Sequence, residues 1–186
     1  MIDLKKIDNS WTLFLDRDGV INHEKIDDYI HTWEEFSFTE GAKEAIAIFA
    51  GIFKYIIVIT NQRGIGRGIT KQKEVERIHK NMAFQIGQAG GRIDAVYYCA
   101  DVDSASTNRK PNAGMGLQAA KDFPGINLSK AIMVGNTGSD MLFGRNLGVK
   151  TIFLPTTRPA EAIAKENIDL VFYSLIDFAN HLSKLN

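Results

Sequence analysis

The sequence predicts an α/β protein, a three-layer sandwich in which helices cover both faces of a mostly parallel, Rossmann-like sheet. Short apolar runs alternate with segments of helical periodicity along the chain, a pattern typical of βα units. One run, residues 55–59, is continuously aromatic or β-branched, as expected of a strand buried on both faces. Neither repeats nor a low-complexity linker divide the chain, so we expect one domain spanning residues 1–186.

Each predicted element rests on a local pattern. The first strand, 11–15, is an apolar run that leads directly into two aspartates. The helices at 41–50 and 70–88 repeat apolar residues on one face. Residues 21–39 and 100–108 are polar and predicted to be irregular. The remaining predicted elements are strands at 93–99, 131–134, 150–154 and 170–173, and helices at 113–122, 140–147, 159–166 and 174–185.

Composition excludes several classes of function. With 22 basic and 22 acidic side chains the formal net charge is zero, unlike that of a general nucleic-acid binder or a membrane-surface protein. No stretch approaches the roughly 20 apolar residues of a membrane span, and residues 1–6 lack the apolar core of a signal peptide. Cys99 is the only cysteine, which excludes an intrachain disulfide and a cysteine-rich zinc site. We expect a cytoplasmic monomer.

Polar side chains follow the predicted strands at one edge of the sheet, where doubly wound folds bind ligands. Asp16 and Asp18 come directly after the first strand, and residues two apart in a strand point to the same side. An Asp-x-Asp-Gly sequence is by itself also a common turn. Thr60 ends the second strand, and the glycine-rich loop behind it is either a binding site for phosphate oxygens or a flexible loop.

Basic side chains and a further acidic group complete the predicted site. Lys110 precedes Pro111, which holds the chain extended. The Arg109-Lys110 pair is either a solvated basic pair or one whose lysine ammonium is aimed at the site, and its position before a new helix favours the site. Arg67, in the glycine loop, is a candidate contact for a second anionic group of the substrate. After the fourth strand, Asn136 offers a neutral oxygen. Asp140 either caps the following helix or helps to hold a cation such as Mg²⁺.

These four segments, in this order, resemble the haloacid dehalogenase superfamily of phosphatases over about residues 11–155. The sequences FLDRDGVIN at 14–22, TNQRGIGRG at 60–68 and RKP at 109–111 look more narrowly like the D-glycero-D-manno-heptose 1,7-bisphosphate phosphatase group. The related histidinol-phosphatase branch shares the first sequence but matches the glycine loop less well.

The resemblance implies a Mg²⁺-dependent phosphomonoester hydrolase that acts on a small phosphorylated sugar through an aspartyl-phosphate, without a large cap domain. Asp16 would be the nucleophile and Asp18 the general acid/base. By the same resemblance the phosphoryl group would be bound by Thr60, Asn61 and Lys110, and the rest of the substrate by Arg67 and Arg109. Mg²⁺ would be bound by Asp16, by Asp18 through its backbone carbonyl, and by Asn136 and Asp140 of the fourth motif.

The chain departs from this family pattern at two places. Members often carry a zinc-binding loop before the Arg-Lys-Pro sequence, but here Cys99 stands alone, so we predict no zinc. The fourth motif usually begins Gly-Asp, and Asn136 keeps a ligand oxygen but loses a charge, so we expect weak Mg²⁺ binding or low activity. Two alternatives stay open: a histidinol-phosphate phosphatase, and a degenerate relative that binds phosphorylated ligands or a partner protein.

Overall fold

The computed structural model describes residues 2–185, and within that range it contains one six-stranded sheet whose strands are all parallel. This confirms the predicted fold class, while the expectation of one domain over the whole chain stays a prediction. In space the strands follow the order β3-β2-β1-β4-β5-β6. The strands are β1 (Thr12–Leu15), β2 (Tyr55–Asn61), β3 (Ala95–Cys99), β4 (Ala131–Gly135), β5 (Lys150–Phe153) and β6 (Leu170–Val171).

Helices connect the strands and cover both faces of the sheet. In residues 2–185, none of them is both long and apolar enough to cross a membrane. The α-helices are α1 (Ala42–Ile52), α2 (Arg63–Gly66), α3 (Gln72–Gln88), α4 (Gly114–Asp122), α5 (Gly138–Leu147) and α6 (Leu175–Ser183). Short 3₁₀ turns occur at Leu4–Lys6, Trp33–Glu35, Leu128–Lys130, Ala160–Ala162 and Lys165–Asn167.

The central strand β1 is buried on both faces because its side chains alternate between two apolar layers. Leu13 and Leu15 belong to the layer that contains the buried faces of α1, α3 and α6. Phe14 belongs to the opposite layer, formed with α4 and α5. β1 pairs with β2 on one side and with β4 on the other, so no backbone edge of it is exposed. A continuous apolar run is what such a strand requires.

The predicted helix at 159–166 is wrong. This segment forms two 3₁₀ turns, Ala160–Ala162 and Lys165–Asn167, with Ile163 extended between them. Ile163 is the buried residue of the segment and packs with Phe153 and α5. A surface helix needs apolar residues three or four positions apart to hold one face against the core, and here there is a single anchor.

The carboxyl ends of β1, β2 and β4 lie side by side at one edge of the sheet. The chain crosses from one half of the sheet to the other between β3 and β4, and the strand order therefore reverses next to β1. Doubly wound sheets bind their ligands at such a switch point. The first residue after β1, Asp16, is fixed there by a hydrogen bond from its N–H to the Val134 carbonyl oxygen at 3.0 Å.

Candidate active site

A cleft of about 390 Å³ opens at this edge of the sheet. It brings together side chains that are far apart in sequence and includes most of the predicted site. Among the residues that line it are Asp16, Asp18, Thr60, Asn61, Arg109, Lys110 and Asp140. Of the other predicted residues, Asn136 is fully buried, and Arg67 lines an adjoining cleft.

Lys110 is buried between two carboxylates. Its Nζ lies 2.8 Å from Asp16 Oδ1 and 2.6 Å from Asp140 Oδ1, and it donates to the Ile59 carbonyl oxygen at 2.8 Å. Burial alone would lower the pKa of Lys110, but the two carboxylates outweigh burial and raise it. The ammonium is therefore charged, and it places a fixed positive charge beside Asp16.

Asp16 is almost fully buried at the end of β1. Its Oδ1 accepts a hydrogen bond from the backbone N–H of Arg17 at 2.7 Å in addition to its contact with Lys110. Burial, together with repulsion from Asp140, raises the pKa of Asp16 to about 7 in spite of Lys110. A divalent cation beside Asp16 would lower this pKa and favour the ionised, nucleophilic form.

The Asp18 carboxylate accepts hydrogen bonds from three side chains. Arg17 Nη2 lies 2.8 Å from Oδ1 and 2.9 Å from Oδ2. Asn22 Nδ2 donates to Oδ1 at 2.9 Å, and Gln62 Nε2 donates to Oδ2 at 3.0 Å. Burial alone would raise the pKa of Asp18, but the Arg17 charge and these hydrogen bonds hold it below its usual value. The structure therefore favours an ionised Asp18.

The end of β2 contributes three consecutive polar residues with separate roles. Gln62 Nε2 donates to Thr60 Oγ1 at 2.9 Å, so the Thr60 hydroxyl proton is left to donate to an anion. Asn61 pairs with the backbone of Lys110 in both directions, at 3.0 and 3.1 Å. The Asn61 side chain thus positions Lys110, and its predicted contact with phosphate stays a prediction.

Asp140 lies in the first turn of α5 and is fully buried. Its Oδ2 accepts a hydrogen bond from the Thr137 backbone N–H at 3.0 Å, and the Thr137 side chain accepts from the Asp140 backbone N–H, which together make a capping box. The same Oδ2 also accepts from Thr137 Oγ1 at 2.6 Å. Its Oδ1 faces Lys110. Helix capping and the positioning of Lys110 therefore occupy both oxygens, and a direct contact of Asp140 with a cation stays a prediction.

Comparison with known proteins identifies the family. The HAD-hydrolase-like family model matches residues 107–178. The chain is 32% identical over 172 residues to D-glycero-alpha-D-manno-heptose-1,7-bisphosphate 7-phosphatase of Mycobacterium bovis. This match covers 92% of this chain and 90% of the Mycobacterium bovis protein. A protein of the same name from Burkholderia mallei is 37% identical, over 82% of this chain and 83% of its own. This chain belongs to the haloacid dehalogenase-like phosphatases.

The solved structures agree with this family. D,D-heptose 1,7-bisphosphate phosphatase from B. bronchiseptica, complexed with magnesium and phosphate, matches with a TM-score of 0.85 and 26% identity. The match covers 95% of this chain and 99% of that chain. The resemblance drawn from the motifs is therefore confirmed, and with it the assignment of this HAD-like protein as a phosphatase, a hydrolase of phosphate esters.

The residues present in this HAD-like phosphatase fit the Mg²⁺ that is typical of its family. Asp16 offers a carboxylate, and Asn136 Oδ1 is buried without a hydrogen-bond partner. Mg²⁺ prefers oxygen ligands of these kinds. Across residues 2–185, no three side chains of His, Cys, Asp or Glu are grouped so that they could hold a metal. The described part of the chain therefore offers few grouped carboxylates to a divalent cation.

Sequence reasoning missed two buried residues behind Asp18. Arg17 is 1% exposed, and its Nη1 lies 3.1 Å from Nε2 of His79 on α3. Burial, followed by the charge of Arg17, lowers the pKa of His79 to about 3, so the imidazole is neutral and accepts from Arg17. The available signal was weak: His79 shares the apolar stripe of α3 with Val75 and Met82.

We expect acid to destabilise this phosphatase through His79. The imidazole titrates near pH 6.5 in the unfolded chain and near pH 3 in the folded protein, so between these values the unfolded state binds more protons. Stability therefore falls as the pH falls through this window. Urea unfolding of the wild type should show a loss of up to about 1.4 kcal/mol per pH unit that His79→Gln, which keeps an acceptor for Arg17, does not show.

The other titrating groups do not disturb this comparison. Asp16, whose raised pKa works in the opposite direction over part of the same range, is present in both proteins and cancels. If the two stability curves run parallel between about pH 4 and pH 7, His79 does not carry the effect.

The loop between β3 and α4 is tied together by hydrogen bonds. Cys99 Sγ donates to Asp101 Oδ2 at 3.6 Å, and the Ser106 hydroxyl donates to the same carboxylate oxygen. Arg109 Nη1 donates to the Val102 carbonyl oxygen. Arg109 therefore braces the loop while it lines the cleft, and its predicted contact with substrate stays a prediction, as does the expected lack of zinc.

Proposed function

We propose that this protein is a Mg²⁺-dependent phosphomonoester hydrolase whose substrate is a heptose 1,7-bisphosphate, cleaved at the 7-phosphate. The observation that carries the proposal is the convergence of Asp16, Asp18, Thr60 and Lys110 on one cleft. Together these side chains provide a nucleophile, a proton-transfer group, a hydroxyl donor and a cation. The heptose is proposed because the relatives are named as heptose-1,7-bisphosphate 7-phosphatases.

In the first half of the reaction, an Asp16 oxygen attacks phosphorus in line and the ester oxygen leaves, which produces an aspartyl-phosphate. Lys110 holds Asp16 at 2.8 Å and is close enough to offset charge on the transferring phosphoryl group. The Thr60 hydroxyl, oriented by Gln62, donates to a phosphoryl oxygen. Asp16, the backbone carbonyl of Asp18 and Asn136 would hold Mg²⁺, which supplies further neutralisation of that charge.

Asp18 transfers the proton in each half of the reaction. Its carboxyl form donates to the departing sugar oxygen, and its carboxylate then takes a proton from the water that hydrolyses the aspartyl-phosphate. The hydrogen bonds from Arg17, Asn22 and Gln62 hold the carboxylate in place and favour the ionised form. This arrangement supports the water-activating step in particular.

An adjoining cleft supports a substrate with two phosphates. Its volume is about 520 Å³, and it shares Glu24, Lys25 and Arg63 with the cleft that contains Asp16. It adds Arg67 and Arg158, so four basic side chains line it, against the three carboxylates of Glu24, Asp27 and Asp28. We propose that Arg67 contacts the phosphate that is not cleaved. We also propose that the protein works in the cytoplasm as a monomer.

A substrate panel tests the proposal. With Mg²⁺ present, phosphate release should be fastest with heptose 1,7-bisphosphates, and one phosphate should remain on the sugar. Faster release from histidinol phosphate would assign the protein to the other branch. No release from any sugar phosphate or from an aryl phosphate would identify a degenerate relative.

A further inference from the structure

The amide of Asn136 is fixed by its neighbours. Its Nδ2 donates to Thr157 Oγ1 at 2.8 Å and to Glu24 Oε2 at 3.3 Å. A carboxylate can only accept, so the contact with Glu24 determines which end of the amide is nitrogen. The oxygen end, Oδ1, is then buried with no hydrogen-bond partner. A buried amide oxygen without a partner is costly, and it points to a ligand that binds there.

Tight packing keeps the amide in this orientation. Gly19 has a φ of +78°, and a Cβ on it would lie only 2.0 Å from Asn136 Nδ2. The turn after Asp18 is therefore pressed against the amide, and little room is left for Asn136 to rotate and satisfy its oxygen elsewhere. Glu24 and Thr157 accept hydrogen bonds from this same Nδ2.

The charged side chains around the cleft leave little net negative charge to bind a divalent cation. Lys110 offsets one of the two carboxylates that it contacts, and Arg17 offsets Asp18. One uncompensated negative charge remains, where an aspartate at position 136 would have brought a second. Glu24 is the carboxylate that contacts Asn136, and it lines the same cleft as Asp16.

We propose that Glu24 is a positioning residue of the Mg²⁺ site. Its carboxylate holds the Asn136 amide so that Oδ1 is left for the cation. It also supplies the negative charge that Asn136 lacks, from a position behind Asn136 as seen from the cation. Glu24 acts through Asn136 and is not itself a ligand. This inference rests on the proposed Mg²⁺-dependent function.

Direct titration of the protein with Mg²⁺ in the absence of substrate tests the inference, because a residue that only contacts substrate would leave this affinity unchanged. Glu24→Gln keeps an oxygen that accepts from Asn136 and removes only the charge. We expect it to weaken Mg²⁺ binding by about 10-fold or more. Asp28→Asn is the matched control, since Asp28 lines the same cleft but is 53% exposed and pairs with Lys25 and His31. It should leave the affinity unchanged.

Moving the negative charge from position 24 to position 136 gives a second test. Asn136→Asp alone should gain little affinity, because the new carboxylate replaces a hydrogen-bond donor and faces Glu24 with like charge. Glu24→Gln combined with Asn136→Asp should bind Mg²⁺ at least as tightly as the wild type, since one full charge then lies at the ligand position. Metal-free thermal unfolding of every variant checks that each is folded.

The outcomes distinguish the proposed role of Glu24 from the proposed Mg²⁺ dependence of the protein. If the wild type binds Mg²⁺ and Glu24→Gln binds it equally well, the role of Glu24 is overturned and the proposed function is not. An equal gain from Asn136→Asp with and without Glu24 would also overturn it. If the folded wild type binds no Mg²⁺ at all, the Mg²⁺ dependence itself fails.

Discussion

Replacing Asp16 with asparagine should reduce phosphate release by at least about 10⁴-fold, the scale on which loss of a catalytic nucleophile acts in other covalent mechanisms. The amide cannot form the aspartyl-phosphate, yet it keeps an oxygen that accepts from the Arg17 backbone N–H. Burst-phase and steady-state measurements with a heptose bisphosphate would test this.

The fold should survive this substitution. In the metal-free protein, burial and the charge of Asp140 disfavour the ionised form of Asp16. At about pH 8 the neutral amide of the variant should therefore give a free energy of unfolding equal to or higher than that of the wild type. Asp177→Asn, an exposed aspartate on α6, is the control and should keep the wild-type rate. A variant of Asp16 that turns over normally would exclude it as the nucleophile.

Replacing Lys110 with methionine should damage both activity and stability. The substitution leaves Asp16 and Asp140 buried without the ammonium between them. Removal of one partner from a buried charge cluster costs about 3–5 kcal/mol, and we expect a loss of that order at about pH 8. Activity should fall by about 10²–10³-fold or more, because the transferring phosphoryl group loses a fixed positive charge.

A second substitution separates the two effects of Lys110. Adding Asp140→Asn to Lys110→Met removes the repulsion between the two carboxylates and should recover much of the lost free energy of unfolding. Activity should not recover, since the ammonium is still missing. Chemical unfolding and phosphate release on the same preparations give both readouts. If stability and activity recover together, Lys110 has only a structural role.

The fold class and the position of the candidate site could be predicted from the sequence because both depend on local pattern. Buried parallel strands need continuous apolar runs, and the ends of those strands carry the reactive side chains to one edge. The helix predicted at 159–166 does not form because Ile163 is the single buried anchor of this segment, which the sequence pattern does not reveal.

The supporting residues could not be predicted because their contacts cross long distances in sequence. Arg17 and His79 are 62 positions apart, and Glu24 and Asn136 are 112 apart. A polar residue on an apolar helix stripe, as with His79, or in a loop, as with Glu24, has many possible partners. Only the packed structure shows which partner each one has.

The reciprocal pairing of Asn61 with the backbone of Lys110 links the end of β2 to a residue 49 positions further along the chain. The backbone of Lys110 is therefore held directly at the end of β2, in addition to its link through the connecting segment. Sequence changes between Cys99 and Arg109 that keep this pairing should leave the ammonium in place. That segment is consequently a natural place to redesign selectivity while the chemistry stays intact.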